Sequence, residues 1–439
     1  MVKLFGTDGI RGRANAFPMS AESVLQVAKL AALRFRNYGN TAIIGKDTRL
    51  SGYVFESCFV AGLLSLGMNA IIVGPVPTPC VSMLTVSLRC AFGVMISASH
   101  NEFRDNGIKF FDHRGLKIST DDESFIEENF HKKINTTNES FGKAKRLDDV
   151  TGRYLEFIKR AFPSDLSLKG IKILLDCANG SMYKIAESVF WELGAEVVTI
   201  NNAPNGNNIN LDCGTMHTQG MQERVKREKA HIGIAFDGDG DRLVVADENG
   251  NVIDGDQLIA SIVRLFLRLG RLSSGTVVLT VASSMALENF LHGLGLRTVR
   301  SNVGDREVLK RMIETGANLG GEPSGHIIIR DYVNTSDGLI AALQLLHLMV
   351  IDGASASEIT ANFTPIPRIL RNVDLGSSDG HLKLVAAEQY ISKNVIGDER
   401  IVLRKSGTEN VIRIIGEGSN ISRIEAIVQD LVEITSRTS

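Results

Sequence analysis

Apolar positions along the chain follow one plan three times. Each copy opens on a short run with strand character: TAIIGKDTR at 41–49, IKILLDCANG at 171–180 and GTVVLTVASS at 275–284. A stretch of helical spacing follows, from Gly52 to Leu66, Met182 to Leu193 and Met285 to Leu294. Each stretch stops at a Leu-Gly step, with Gly67, Gly194 and Gly295, and a second apolar run comes next. Glycine there fits a helix C-cap, where the backbone turns left-handed. Strand, helix and strand in series predict parallel pairing through a right-handed crossover. The pattern predicts an α/β protein with three related α/β domains, at 1–152, 153–252 and 253–366, each of ordinary domain size.

The end of the chain breaks the plan. RIVLR at 400–404 and VIRII at 411–415 read as short strands around a polar loop, and Ser422 to Thr435 has helical spacing. A smaller α+β C-terminal domain at 367–439 is expected. Ligands of open α/β sheets collect at the carboxyl ends of strands. Three repeats and a tail therefore aim several loops at one central cleft.

Composition narrows the function classes. The 439 residues carry a formal net charge of −2, which gives no global pull toward nucleic acid or an anionic membrane. The best candidate for a membrane span, Ile340 to Ile351, contains Gln344 and His347 and falls short of the ~18 residues needed; it reads as a buried helix. The opening MVKLFGTDGIRG reaches glycine and charge too soon for a signal peptide. Five cysteines with no CxxC spacing read as free thiols in a reducing compartment. A cytoplasmic protein with no nucleic-acid or membrane partner is the expectation. The sequence leaves the oligomeric state open, with a homodimer as the candidate.

Four loops do not look like ordinary turns. The strand-like FGVMI at 92–96 ends in SASHN at 97–101. A hydrolase elbow would need glycines where Ser97 and Asn101 stand, so Ser99 is no such nucleophile. Strand alternation also places His100 on the face opposite Ser99, which makes it a poor base. The second loop is DGDGDR at 237–242, between strand-like HIGIAF and RLVVAD. Its three carboxylates at alternate positions share one side of an extended loop. Unit charges ~4 Å apart repel by about 1 kcal/mol even in water, so the cluster calls for a cation. Oxygen ligands in small number suit Mg²⁺. An exposed acidic turn is the plain alternative. An EF-hand is excluded, because Arg242 stands where glycine is required and strands flank the loop.

The third loop is GGEPSGH at 320–326. Glu322, Ser324 and His326 could hydrogen-bond a polyol, with His326 as acid or base near neutral pH; a glycine-rich turn is equally compatible. The fourth is RKSGTEN at 404–410, with Arg413 beyond it. Cations, hydroxyls and a glycine N–H there make an anion cradle suited to phosphate; a solvated β-turn with scattered basic residues is the plain alternative. Neither GxxxxGK[ST] nor GxGxxG after a strand occurs, so no nucleotide site is read. With a metal loop and a phosphate cradle but no nucleotide, the remaining phosphoryl donor is the protein itself, through Ser99 carrying phosphate.

Taken together, the chain resembles the alpha-D-phosphohexomutase superfamily, over its whole length. The resemblance rests on FGTDGIRG at 5–12, GKDTRLSG at 45–52, SASHN, DNGIKFF at 105–111, DGDGDR, GGEPSGH and RKSGTEN followed by VIRIIGEG, in this order. It implies three α/β domains around a cleft and a mobile fourth domain. It implies that Ser99 is phosphorylated and that Asp237, Asp239 and Asp241 hold Mg²⁺ with it. Arg11 and Lys109 would lie beside the transferring group, with Arg242 near the metal loop. Glu322 and Ser324 would bind sugar hydroxyls, and His326 would assist proton transfer, the choice of base between His326 and Lys109 staying open. Arg404, Ser406, Gly407, Thr408 and Arg413 would grip the phosphate that is not reacting. Two positions depart from the family pattern: Glu102 and Asn410 stand where prolines are usual. The implied activity is reversible exchange of glucosamine 6-phosphate and glucosamine 1-phosphate through a bisphosphate, feeding UDP-N-acetylglucosamine synthesis. The nearest rival is the same chemistry on a neutral hexose phosphate; a Mg²⁺-dependent phosphatase and a non-catalytic phosphosugar sensor are more distant ones.

Overall fold

Parallel pairing appears in all three repeats. The computed structural model describes residues 3–134, 140–374, 380–405 and 411–436, with 380–382 by backbone alone. In it Thr41–Lys46 pairs with Asn69–Pro75, Lys172–Asp176 with Glu196–Ile200, and Thr276–Thr280 with Arg297–Ser301. The crossover helices are Ser51–Leu64, Ile185–Glu192 and Met285–Gly293. Gly194 and Gly295 follow the last two with φ of +99° and +77°, the left-handed stop that a residue with a Cβ resists. Strands such as Phe92–Ile96 are buried on both faces, so their apolar runs are continuous and do not alternate.

Antiparallel additions to each sheet create the loops that matter. In the first sheet Phe92–Ile96 lies between Thr41–Lys46 and Asp105–Asp112, and Gly9–Arg13 pairs beyond the latter. That register sets Arg11 opposite Gly107 and Lys109 opposite Met95, so both basic side chains come from strands next to the Ser99 loop. In the second sheet Ile232–Phe236 forms a hairpin with Leu243–Ala246, and residues 237–242 are its turn. In the third, Leu319–Gly321 forms a hairpin with Ile327–Ile329, and residues 322–326 are its turn.

One apolar core runs through these three sheets. It includes Ile43, Ile173, Leu279 and most of the helix Gly338–Asp352, which is buried from Gly338 to Met349. The last sheet, Arg368–Asp374, Val411–Glu417 and Arg400–Lys405, is antiparallel and has its own core around Ile412, Ile414, Ile424 and Val428. Its helices are Gly380–Asn394 and Ile421–Ser436. Polar contacts dock it on the third sheet: Arg400 Nη1 donates to Ser283 O at 2.8 Å and Arg368 Nη2 to Ala282 O at 2.8 Å. Among the described residues no helix is long and apolar enough to cross a membrane, and all five cysteines are free thiols.

Candidate active site

The strand Phe92–Ile96 delivers Ser97, Ala98 and Ser99 into the interior, where Ser99 is fully buried. Ser97 Oγ donates to Asp47 Oδ2 at 2.7 Å and accepts Ser99 N at 2.9 Å. Ser99 adopts φ of +53°, which ends the extended backbone at that point. Strand alternation therefore does not apply across the next bond. His100 Nδ1 lies 3.3 Å from Ser99 Oγ, on the same side and not on the opposite face expected from the sequence. Burial, then Arg242 and Arg11, pushes the His100 imidazole down to about 3, so it is neutral. Ser99 Oγ donates to Asp237 Oδ2 at 2.7 Å, across the boundary between the first and second sheets.

Asp237, Asp239 and Asp241 are fully buried, and each offers a carboxylate oxygen within 4.8 Å of the others. Thr78 N donates to Asp239 O at 2.8 Å, and the Thr78 hydroxyl donates to the Asp239 carboxylate. Lys109 Nζ donates to Asp239 Oδ2 at 2.8 Å and Asp241 Oδ2 at 2.7 Å. Asp239 Oδ1 and Asp241 Oδ1 are buried without a hydrogen-bond partner among the described residues. Burial pushes Asp237 well above the usual carboxylate range, with Asp241 and Asp239 adding to it. Burial also acts on Asp241, but Lys109 outweighs it and holds that carboxyl at about 2. Among the described residues Lys109 and, at 4.0 Å from Asp237 Oδ2, Arg242 Nε pair with the trio, and two of its buried oxygens have no partner, which fits a divalent cation.

Around the trio the cations are themselves paired. Asp8 Oδ2 accepts Arg11 Nη2 at 2.7 Å and lies 3.1 Å from Lys109 Nζ. Lys117 donates to Asp8 and, at 2.6 Å, to Asp305 Oδ1, joining the first and third sheets' loops. Burial works against the Lys109 charge, yet Asp239, Asp241 and Asp8 hold it well above the ordinary lysine value. Arg242 Nε donates to His326 Nε2 at 2.7 Å, and His326 Nδ1 lies 2.9 Å from Ser336 Oγ. A guanidinium has no acceptor, so Nε2 carries the lone pair of a neutral imidazole. Glu322 Oε1 accepts Gly304 N at 2.7 Å.

Arg11, His100, Arg242, Glu322, Ser324, His326, Arg404 and Arg413 line one cleft of about 830 Å³, to which all four sheets contribute. Of the residues expected to act together, Ser406, Gly407 and Thr408, and also Asn410, lie outside the described residues. Sequence reasoning overlooked Asp8, Arg49, Lys117, Asn210 and Asp305. Asp8 and Arg49 sit inside quoted motifs, but a charge in a motif has no partner until the neighbouring strands are known. Asp305 joins Asp241 and His326 in a second group of convergent ligand-type atoms, and nothing in its local sequence marks it.

Comparison with known proteins bears on the domains and the family. Four domain families match in order: phosphoglucomutase/phosphomannomutase alpha/beta/alpha domain I at 2–137, domain II at 152–250, domain III at 254–366 and the C-terminal domain at 371–434. The phosphoglucosamine mutase of Paramagnetospirillum magneticum is 48% identical, over 100% of this chain and 99% of its own length. That of Mesorhizobium japonicum is 48% identical, over 99% and 98%. Among solved structures, a phosphoglucomutase/phosphomannomutase family protein of Burkholderia thailandensis superposes with a TM-score of 0.84 at 22% identity, covering 100% of this chain and 98% of that one. The Aspergillus fumigatus N-acetylphosphoglucosamine mutase, solved with GlcNAc-6P and magnesium, gives 0.70 at 16% identity, over 99% and 96%. With every domain matched and nearly half of all positions shared across full-length relatives, the chain belongs to the phosphoglucomutase/phosphomannomutase family.

Proposed function

We propose that the protein interconverts glucosamine 6-phosphate and glucosamine 1-phosphate, with Ser99 as the phosphoryl carrier and a bisphosphorylated sugar as intermediate. The observation that carries the reading is Ser99 Oγ, buried and 2.7 Å from a carboxylate of the aspartate trio. The full-length relatives named phosphoglucosamine mutase support the choice of sugar. The cation is taken to be Mg²⁺, held by Asp237, Asp239 and Asp241 together with the Ser99 phosphate, and when bound it supplies charge neutralisation to the phosphoryl oxygens. The free thiols fit a cytoplasmic enzyme.

Binding begins at the last domain. Arg404 and Arg413, with Ser406, Gly407 and Thr408, hold the substrate's 6-phosphate, and Glu322 and Ser324 take sugar hydroxyls. This fixes the 1-hydroxyl toward Ser99. The hydroxyl oxygen bonds to phosphorus as the phosphorus–Oγ bond breaks, and its proton passes to the departing Ser99 Oγ, with His326 the candidate relay once Arg242 releases its Nε2. Ser99 ends as the hydroxyl hydrogen-bonded to Asp237. Arg11, Lys109 and Arg242 stabilise the oxygens of the group in flight, the main lever in phosphoryl transfer. Lys109, held by Asp239, Asp241 and Asp8, suits this task as an ammonium. The bisphosphate then turns end for end, and Ser99 recovers phosphate from the 6-position.

The test pairs turnover with protein mass. Phosphorylated wild-type protein should convert glucosamine 6-phosphate faster than the glucose or mannose analogue, and peptide mapping should place one phosphate on Ser99. Ser99→Ala should take up no phosphate and lose at least about 10³-fold in kcat, the scale expected when a covalent step is removed. Wild-type turnover in the alanine variant would end the covalent scheme.

A further inference from the structure

The motif GKDTRLSG holds an arginine to which this scheme gives no task. Arg49 is the largest fully buried side chain among the described residues. A guanidinium has five N–H donors in a planar fork, and five acceptors surround this one. Nε donates to Asp47 Oδ2 at 2.9 Å, Nη1 to Asp105 O at 3.0 Å and also to Glu102 O, and Nη2 to Ser99 O at 3.1 Å and Asn101 O at 2.8 Å. Four of the five are backbone carbonyls of one loop, 99–105. Asp47 alone would neutralise the charge, so the rest of the fork serves the loop.

The same unit also grips Ser99 by its N–H. Asp47 accepts Ser97 Oγ, and Ser97 Oγ accepts Ser99 N. From the second sheet's side, Asn210 Nδ2 donates to the carbonyls that Arg49 holds, Ser99 O at 2.8 Å and Asn101 O at 2.9 Å. The residue at the centre of these contacts is Ser99 in the left-handed region, which serine rarely adopts unaided.

We propose that Arg49 is a positioning residue for phosphoryl transfer. With Asn210 it fixes the left-handed turn at Ser99 and thereby aims Oγ at Asp237 and the cleft. The proposal rests on Ser99 being the phosphoryl carrier. Displacing a reacting atom by about 1 Å can cost about 100-fold in rate without weakening substrate binding. Lysine cannot replace the fork, because it offers one ammonium to five acceptors.

The experiment uses full-length wild type, Arg49→Lys and Asn210→Gly. Glycine is chosen at 210 because that residue has φ of +58°, which alanine would strain. Dephosphorylated proteins are given a hexose 1,6-bisphosphate, and phosphate uptake is followed by intact mass beside kcat, KM and thermal unfolding. Folded Arg49→Lys should lose about 100-fold in both uptake rate and kcat, with KM within about twofold. Asn210→Gly should lose about tenfold in the same pattern. Near wild-type kcat in folded Arg49→Lys overturns the proposal, as does a loss that merely follows the unfolded fraction. Should Arg49→Lys fail to fold, Asn210→Gly decides: a fall in kcat at constant KM supports the clamp, and unchanged kcat overturns it. A wild type that takes up no phosphate overturns the phosphoserine reading itself and the clamp with it.

Discussion

Asp8 shows how much one side chain can organise. Arg11, Lys109 and Lys117 all converge on its carboxylate. Burial opposes its charge, but Lys109, Lys117 and Arg11 together hold it well below the usual carboxylate range. The group is therefore an anion at any working pH, and it fixes two of the cations proposed to face the transferring phosphoryl group. Asp8→Asn keeps the shape and removes the charge. Lys109 would stay anchored by Asp239 and Asp241, while Arg11 would lose its only ion pair among the described residues. We expect kcat to fall about tenfold or more with little change in KM, measured by steady-state kinetics on glucosamine 6-phosphate. Equal kcat in the variant would mean that Arg11 is placed by something else. At this scale the sequence marked side chains that the fold gathers in one region: serine, three aspartates, a histidine and arginines in distinctive loops. It did not mark Asp8, since an acid in FGTDGIRG acquires its meaning only from Lys109 and Lys117, about 100 residues away.

Elements behave as their patterns predict, with one buried polar joint. The helix Gly338–Asp352 is capped by Asp337, whose Oδ1 accepts Leu339 N at 3.0 Å and Ile340 N at 3.2 Å. Its other oxygen accepts Tyr154 Oη at 2.6 Å. Burial pushes this carboxyl up to about 6, beyond what those hydrogen bonds pull back. The folded protein thus binds the proton more tightly than the unfolded chain, whose aspartates titrate near 3.9. The Asp337 contribution to stability is fully present below about pH 4 and is lost as pH rises through about 6. Asn at 337 cannot ionise and can still cap through Oδ1. The melting temperature of Asp337→Asn, relative to wild type, should therefore rise by about 2 °C or more between pH 4.5 and pH 7.5. A difference that stays flat across that range would exclude the assigned pKa. The apolar run from Ile340 announced this helix in the sequence, whereas its cap became meaningful only once burial and Tyr154 were known.

At the scale of the whole molecule the cleft is a joint product of four sheets. The first contributes Arg11 and His100, the second Arg242, the third Glu322, Ser324 and His326, and the last Arg404 and Arg413, with Ser99, Lys109 and the aspartate trio buried beneath the cleft floor. The last unit has a separate core and rests on the third sheet through Arg400, Arg368 and Glu417, where Met285 N donates to Glu417 Oε2 at 3.3 Å. Such a polar seam suits a unit proposed to grip the far end of the substrate. Burial, then the neighbouring Arg413, lowers the Arg404 pKa from its ordinary value, with Glu322 pulling the other way. Removing one arginine should weaken binding that ground state and transition state share. Arg404→Ala should raise KM about tenfold or more at nearly constant kcat. A fall in kcat at constant KM would instead put Arg404 in the chemical step.

The sequence alone determined the repeat and marked the loops that carry candidate chemistry. Apolar periodicity encodes strands and helices locally, and alternating acids or a basic hydroxyl loop declare their ligands by composition. Only the tertiary structure decided which groups meet. Asp237 reaches Ser99 across 138 positions, and Lys109 reaches Asp239 across 130. Sheet order and hairpin register bring such loops together, and neither is written in any single loop. The left-handed turn at Ser99, which brought His100 to its side, likewise depends on Arg49 and Asn210 pulling on its carbonyl from two directions.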